Sequence, residues 1–172
     1  MIGNFTYIQN NLLKDEQLVY AMRPHWVIFA WSIWMLLFSF YVLLFASSVL
    51  DIELLFGTTL RVDVVIALLC IGGYSYLLAL IYYKNAEYGV TNKRVVIKIG
   101  LIRRQSLEIM LDKVEAVMVD QTFFGRIFNY GRITIVGTGG TNDSYPYIPN
   151  PLEFRRQVQQ QIDLHERSLI AR

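Results

Sequence analysis

Two uncharged runs constrain this chain more than anything else in it: Trp26 to Leu50 and Val64 to Tyr83. Neither contains an Asp, Glu, Lys or Arg. At about 1.5 Å per helical residue, the first crosses a roughly 30 Å hydrocarbon layer with tilt to spare, and the second is about the minimum that spans. Lipid offers no partners to exposed backbone groups, so each run is expected to be a helix. The link between them carries Asp51, Glu53, Arg61 and Asp63. The pattern predicts a transmembrane α-helical hairpin over residues 26–83 with a connector over 51–63. A pair of buried helices in a soluble core is the competing reading, but the remaining chain is too small to wrap both. The first run does not read as a cleaved signal: it is long, starts after two dozen residues, and no small-residue cleavage pattern follows it.

Charge gives the hairpin a direction. The chain has a formal net charge of +2, but from Lys84 to Arg104 six Lys and Arg face a single Glu87, a local balance of +5. Short flanks rich in Lys and Arg stay on the cytoplasmic side. The connector has Arg61 alone, whereas Lys14, Arg23, Lys84, Lys93, Arg94 and Lys98 lie on the other side. Both termini are therefore expected in the cytoplasm and residues 51–63 outside, in a multi-pass protein of the cell inner (cytoplasmic) membrane. Trp26, Tyr82 and Tyr83 suit an interfacial aromatic belt. Gly72-Gly73 leaves a bald patch for helix packing, within the hairpin or between copies. Cys70 is the sole cysteine, which rules out an intramolecular disulfide or a cysteine metal cluster. His25 and His165 lack ligand-spaced companions, so no metal site and no cofactor is expected.

Residues 1–25 read as a cytoplasmic N-terminal segment. Ile2, Phe5, Ile8 and Leu12 have the spacing of a short amphipathic helix, which could lie on the membrane, dock on the later domain or fray. Gln17 to Met22 reads as a strand able to join a later sheet, and Pro24 suits the entry to the first span. After Lys84 the period changes. Tyr88–Thr91 and Arg94–Ile99 flank a turn at Asn92-Lys93, and Ile102–Ile109, Leu111–Val119, Arg132–Val136 and Tyr145–Ile148 are further strands. Thr122 to Phe128 looks like one helical turn or a loop, and Gly137 to Asp143 is a loop by composition. Pro146 makes the last strand an edge. Asn150, Pro151 and Glu153 open a final helix as N-cap, first-turn proline and capping-box partner. Phe154, Val158 and Ile162 line its apolar side. The strands predict a core of Val95, Ile97, Ile99, Leu107, Ile109, Val114, Ile133 and Ile135, joined by Phe154 and Val158. Short antiparallel strands closed by one helix make a small sandwich or partly open barrel over residues 84–165, followed by a tail at 166–172.

The ordered pieces Glu87-Tyr88-Gly89-Val90-Thr91-Asn92-Lys93-Arg94, Gly100-Leu101-Ile102-Arg103-Arg104, Leu111-Asp112-Lys113-Val114, Gly125-Arg126, Tyr130-Gly131-Arg132, Gly137-Thr138-Gly139-Gly140 and Ile148-Pro149-Asn150-Pro151 resemble a known family. These are bacterial membrane proteins in which two transmembrane helices precede a bacterial pleckstrin-homology (bPH2-like) domain. The resemblance covers Lys84 to about Leu164 and implies a fold and a membrane address without an agreed activity.

No constellation of catalytic residues stands out. Gly137-Thr138-Gly139-Gly140 lacks the Lys-Ser/Thr of a phosphate loop and reads as a strand-connecting turn. Glu108, Asp112, Glu115 and Asp120 have no His or Cys companion and read as solvated faces and turn caps. The chain is expected not to be an enzyme. What remains is basic: Lys93, Arg94, Lys98, Arg103 and Arg104, with Arg94, Val96 and Lys98 on one face of their strand. The resemblance implies a lipid role here, since eukaryotic pleckstrin-homology domains hold phosphoinositides with basic residues of their first hairpins. Plain orientation bias, anionic lipid head groups, and a partner or nucleotide contact all fit the cluster. The expected function is a membrane-anchored, non-catalytic binding or scaffolding module that offers its domain to anionic lipid or a protein partner, without nucleic acid. The alternative is a self-assembling homo-oligomer that forms a ring, a pore or a lipid-handling assembly.

Overall fold

The structure is a computed structural model that describes residues 5–45, 60–100, 105–140 and 142–170. Its chain order is helix α1 (Thr6–Asn10), strand β1 (Leu18–Met22), a 3-10 turn (Trp26–Phe29) leading into helix α2 (Ala30–Phe45), and helix α3 (Leu60–Asn85). Strands β2 (Glu87–Thr91), β3 (Arg94–Ile99), β4 (Gln105–Met110), β5 (Val114–Asp120), β6 (Tyr130–Gly137) and β7 (Asn142–Pro149) follow, with helix α4 (Phe123–Ile127) between β5 and β6 and helix α5 (Pro151–Ile170) at the end. The chain divides into two units, one made of Met1–His25 with Tyr82–Arg172, the other of Trp26–Ile81.

In the first unit, β1 to β4 form one antiparallel sheet in the order β1-β2-β3-β4, and β5 to β7 form a second in the order β5-β6-β7. Side chains alternate across a strand, and one set closes a shared core of Tyr88, Val90, Val95, Ile97, Ile109, Ile133, Ile135 and Ile148. Ile99, Leu107 and Val114 pack against it in part. Phe154 and Val158 of α5, four residues apart on one helical face, are fully buried there. This is the pleckstrin-homology-like plan of antiparallel sheets with a C-terminal helix.

Several boundaries differ from those the sequence suggests. Residues 1–25 are part of the same unit as the domain, because β1 pairs with β2 from Leu18↔Thr91 to Met22↔Tyr88. Leu111–Lys113 is a 3-10 turn, and β5 starts only at Val114. The last helix runs on to Ile170, so residues 166–170 continue it. Asn150, with φ of +45°, receives the Glu153 and Phe154 amides on its carbonyl. Its side chain is engaged by Asn129, and Glu153 turns to Gln157 and Arg156.

The second unit holds α2 and most of α3. Helices Trp26–Phe45, of 20 residues, and Leu60–Asn85, of 26, are long and apolar enough to cross a membrane. The second starts at Leu60, earlier than the uncharged run, and so takes in Arg61 and Asp63. Phe29 meets Tyr76 with ring centroids 5.3 Å apart, and Ser39 Oγ donates to the Val65 carbonyl at 3.4 Å. Rising numbers on one helix meet falling numbers on the other, so the pair is antiparallel.

Candidate functional site

The chain leaves the sheet after Met22 and returns at Glu87, and Met22 and Tyr88 are cross-strand partners. Exit and return therefore lie at one end of adjacent strands. One strand further in, Glu87 pairs with Lys98. This end of the sheet gathers Arg23, Lys84 and Lys98 around a pocket of about 370 Å³ that Thr6, Tyr7, Asn10, Asn11, Asn85 and Glu87 also line. Lys98 Nζ lies 5.0 Å from the centroid of the Tyr7 ring, and the Arg23 guanidinium lies over Phe5, each a cation–π arrangement. The Glu87 carboxylate accepts the Tyr7 and Ile8 amides at 3.1 Å. It thereby caps α1 from a distant strand and favours the positive end of that helix.

α1 is held over the outer face of the first sheet. Phe5 and Ile8 bury Val96 there, and Gly89 makes room for them, since a Cβ at that position would stand 2.7 Å from Ile8 Cδ1. The face of Arg94, Val96 and Lys98 is thus covered where the sequence suggested an open basic surface.

The three described basic residues of the sequence cluster, Lys93, Arg94 and Lys98, part company. Arg94 is buried. Its Nε reaches Glu16 Oε1 at 2.9 Å and its Nη2 reaches Glu16 Oε2 at 3.1 Å. Nη1 bonds Glu108, and Nη2 also donates to the Asn11 carbonyl at 2.6 Å. Arg94 is therefore a structural tie and is removed from the lipid-facing set; Glu108 is its partner rather than a free solvated carboxylate. Burial pushes the Glu16 carboxyl up, but the Leu13 amide, the Thr91 hydroxyl and Arg94 together hold it below the usual 4.5. Lys93 sits at the turn and donates to the Lys14 carbonyl at 2.6 Å. At about 3.3 Å per residue, that is roughly 17 Å along the strand from Lys98. Arg103 and Arg104 lie outside the described residues.

Of the cluster's described residues, Lys98 alone lines the pocket, joined by two cations that the sequence had assigned to orientation alone. The missed signal was topological: Arg23 and Lys84 are 61 positions apart but flank the two crossings of one sheet edge. In the hairpin, Gly72 faces Met35 and Leu36, where a Cβ would stand 3.2 Å from Leu36 Cδ2, while a Cβ on Gly73 would meet nothing within 4 Å. Gly72 is therefore the packing glycine. Among the described residues, no group of three His, Cys, Asp or Glu is arranged to hold a metal ion.

At the same end of the first unit, His25 donates its amide to the Tyr147 carbonyl at 2.7 Å and stacks on Tyr130 at 5.3 Å. Burial lowers its imidazole below the usual 6.5, against a hydrogen bond with the Phe128 backbone. Tyr82 and Tyr88 join hydroxyls at 3.0 Å, and Tyr145 packs edge-on to Tyr88. Burial raises the Tyr88 phenol far above its ordinary value and Tyr145 to about 12. Both are neutral packing groups.

No curated protein matches the chain. A crystal structure of a DUF1696 family protein with a pleckstrin-homology domain from Shewanella loihica PV-4 is similar at 9% identity and a TM-score of 0.36. The likeness covers 45% of this chain and 70% of that one, and it is too slight to bear on the site. A family model described as Bacterial PH domain matches residues 18–162. That stretch takes in β1, both apolar helices, all the later strands and the first three turns of α5. The chain belongs to the bacterial PH domain family.

Proposed function

We propose that this protein is a membrane-anchored, non-catalytic binding module whose domain takes the anionic head group of a lipid in the pocket of Arg23, Lys84 and Lys98. The observation that carries the reading is the shared end of the sheet. Arg23 stands three residues before the apolar helix that starts at Trp26, and Lys84 stands at the last turn of the other. A polar pocket with three cations against one already engaged carboxylate thus lies where the chain passes into and out of its apolar segments. Anionic lipid attracts basic residues near a cytoplasmic leaflet by roughly 1 kcal/mol each. The charge bias supports an inner-membrane address with both termini in the cytoplasm.

The test is to purify the full chain in mild detergent and identify the lipids it retains by mass spectrometry. The parent is expected to retain phosphatidylglycerol or another anionic lipid above its share of the membrane. The variant with Arg23→Gln, Lys84→Gln and Lys98→Gln is expected to retain lipids in proportion to their abundance. Equal anionic enrichment in both would remove the pocket from the account.

Self-assembly is the second reading. Trp31, Trp34, Phe38, Tyr41 and Phe45 form a continuous exposed ladder along α2, with successive ring centroids 5.2–6.3 Å apart. Such a ladder suits lipid tails or a second hairpin. A detergent-corrected mass of one chain would exclude the second.

A further inference from the structure

The segment Thr122-Phe123-Phe124-Gly125-Arg126-Ile127-Phe128 is built in an unusual way for a surface turn. Thr122 caps α4 by accepting the Gly125 amide at 3.1 Å. Gln121 Nε2 donates to the Tyr130 carbonyl at 3.1 Å. Gly125 presses so close to the start of β6 that a Cβ there would stand 2.6 Å from the Tyr130 carbonyl oxygen. Its outer face, thus braced from behind, holds Phe123, Phe124 and Ile127 at 74%, 63% and 60% exposure. The two phenyl rings lean on each other edge to face, 5.7 Å apart. Water opposes such an arrangement: each side chain forgoes most of the stabilisation that burial gives, and clustered exposed apolar residues mark an interaction surface.

What covers this face follows from where it is tied. Phe128 and Tyr130, just after α4, both contact His25, whose amide is held by Tyr147. The next residue, Trp26, begins the first apolar helix. Within its own unit, α4 therefore flanks the point of departure toward the apolar segment. Arg126, exposed in the same turn, adds a cation suited to lipid phosphates.

We infer that α4 is a membrane-interface wedge: Phe123, Phe124 and Ile127 enter the head-group and upper acyl region of the bilayer in which the hairpin is anchored. The aromatic and aliphatic tips occupy the depth at which interfacial helices bury their apolar faces, about 5–10 Å. This adds a second, apolar attachment of the domain to the bilayer surface. The inference rests on the membrane-anchored reading.

The test uses the full chain with Cys70→Ser, reconstituted in vesicles of phosphatidylethanolamine and phosphatidylglycerol. A nitroxide is placed by Phe124→Cys, by Leu37→Cys on the exposed side of α2, or by Asp163→Cys on the exposed side of α5. Collisions with oxygen report lipid, and collisions with a soluble nickel chelate report water. The expected result is a lipid pattern at 37 and 124, with an oxygen-to-nickel ratio several-fold above that at 163. A water pattern at 124 beside a lipid pattern at 37 overturns the wedge and leaves the anchoring reading intact. Low collision with both reagents at 124 assigns this face to a protein contact, such as a second copy, and also overturns the wedge. A water pattern at 37 overturns the anchoring reading, and the wedge with it.

Discussion

Arg94 and Glu16, 78 residues apart in sequence, close a two-pronged ion pair beneath the turn between β2 and β3. Thr91 Oγ1 donates to the same carboxylate at 2.7 Å, and the Leu13 amide caps its other oxygen at 2.6 Å. With the β1–β2 ladder, the pair ties the N-terminal segment, separated in sequence from the domain by the whole hairpin, to its sheet.

Breaking one side of this pair is expected to be severe. A buried charge left without its partner costs about 3–5 kcal/mol, a large share of ordinary stability. Glu16→Ala and Arg94→Ala should each lower the thermal midpoint of the full chain strongly, and the double change should cost less than the sum. Additive effects would mean that the two groups act separately.

The same relationship predicts that a fragment starting at Lys84 is unstable. It lacks β1, exposes the β2 edge and strips Arg94 of Glu16, leaving Glu108 as its carboxylate partner. Such a fragment should show broad, non-cooperative unfolding, whereas residues 1–25 joined to 82–172 by a short flexible linker should melt in one transition.

The hairpin, the strand alternation after Lys84 and the closing helix were legible because each is a local signal. Uncharged runs, period-two apolar residues and an Asn-Pro start are written in neighbouring positions. Arg94 was not legible, because its partner Glu16 is brought near only by a sheet whose first two strands are interrupted by residues 23–86. The same topology hid the union of Arg23, Lys84 and Lys98, and it made an apparently open basic face the seat of α1. Residues 101–104, where two of the five basic residues fall, lie outside the described structure.

Val158 has no exposed surface and packs in the shared core. Val158→Asp would bury an unpaired carboxylate there, at a cost of several kcal/mol. A circular-dichroism melt of the full chain in detergent should show a loss of cooperative β-domain unfolding while the helical signal persists.

Gly125→Ala brings a Cβ against a backbone oxygen that cannot turn away. Forced close contacts of this kind cost about 1–3 kcal/mol. Gly73→Ala, which meets open space, should leave the melting curve unchanged, and a matching loss at both positions would contradict the close packing of α4 on β6.

His25 gives the domain a pH dependence with a defined sign. Its folded imidazole is depressed below 6.5 by burial, so the unfolded chain binds the proton more readily. The stability associated with neutral His25 is therefore complete above 6.5 and falls as pH drops below it. Thermal midpoints of the parent should decline in that window, and His25→Gln should flatten the decline. Glu16 is depressed below 4.5 and adds a second stabilising contribution, complete above that value and lost as pH falls through its folded value.

The most direct test of the account is the affinity of the full chain, in neutral detergent, for a soluble short-chain phosphatidylglycerol compared with the matching phosphatidylcholine. The account predicts a clear preference for the anionic lipid, weakened by added salt as exposed charges are screened over about 10 Å at 0.1 M. With Arg23→Gln, Lys84→Gln and Lys98→Gln together, that preference should fall by about 2–3 kcal/mol at roughly 1 kcal/mol per cation, or on the order of 30- to 150-fold. Equal affinity of the parent for both lipids, or a preference that survives the triple change intact, would contradict it.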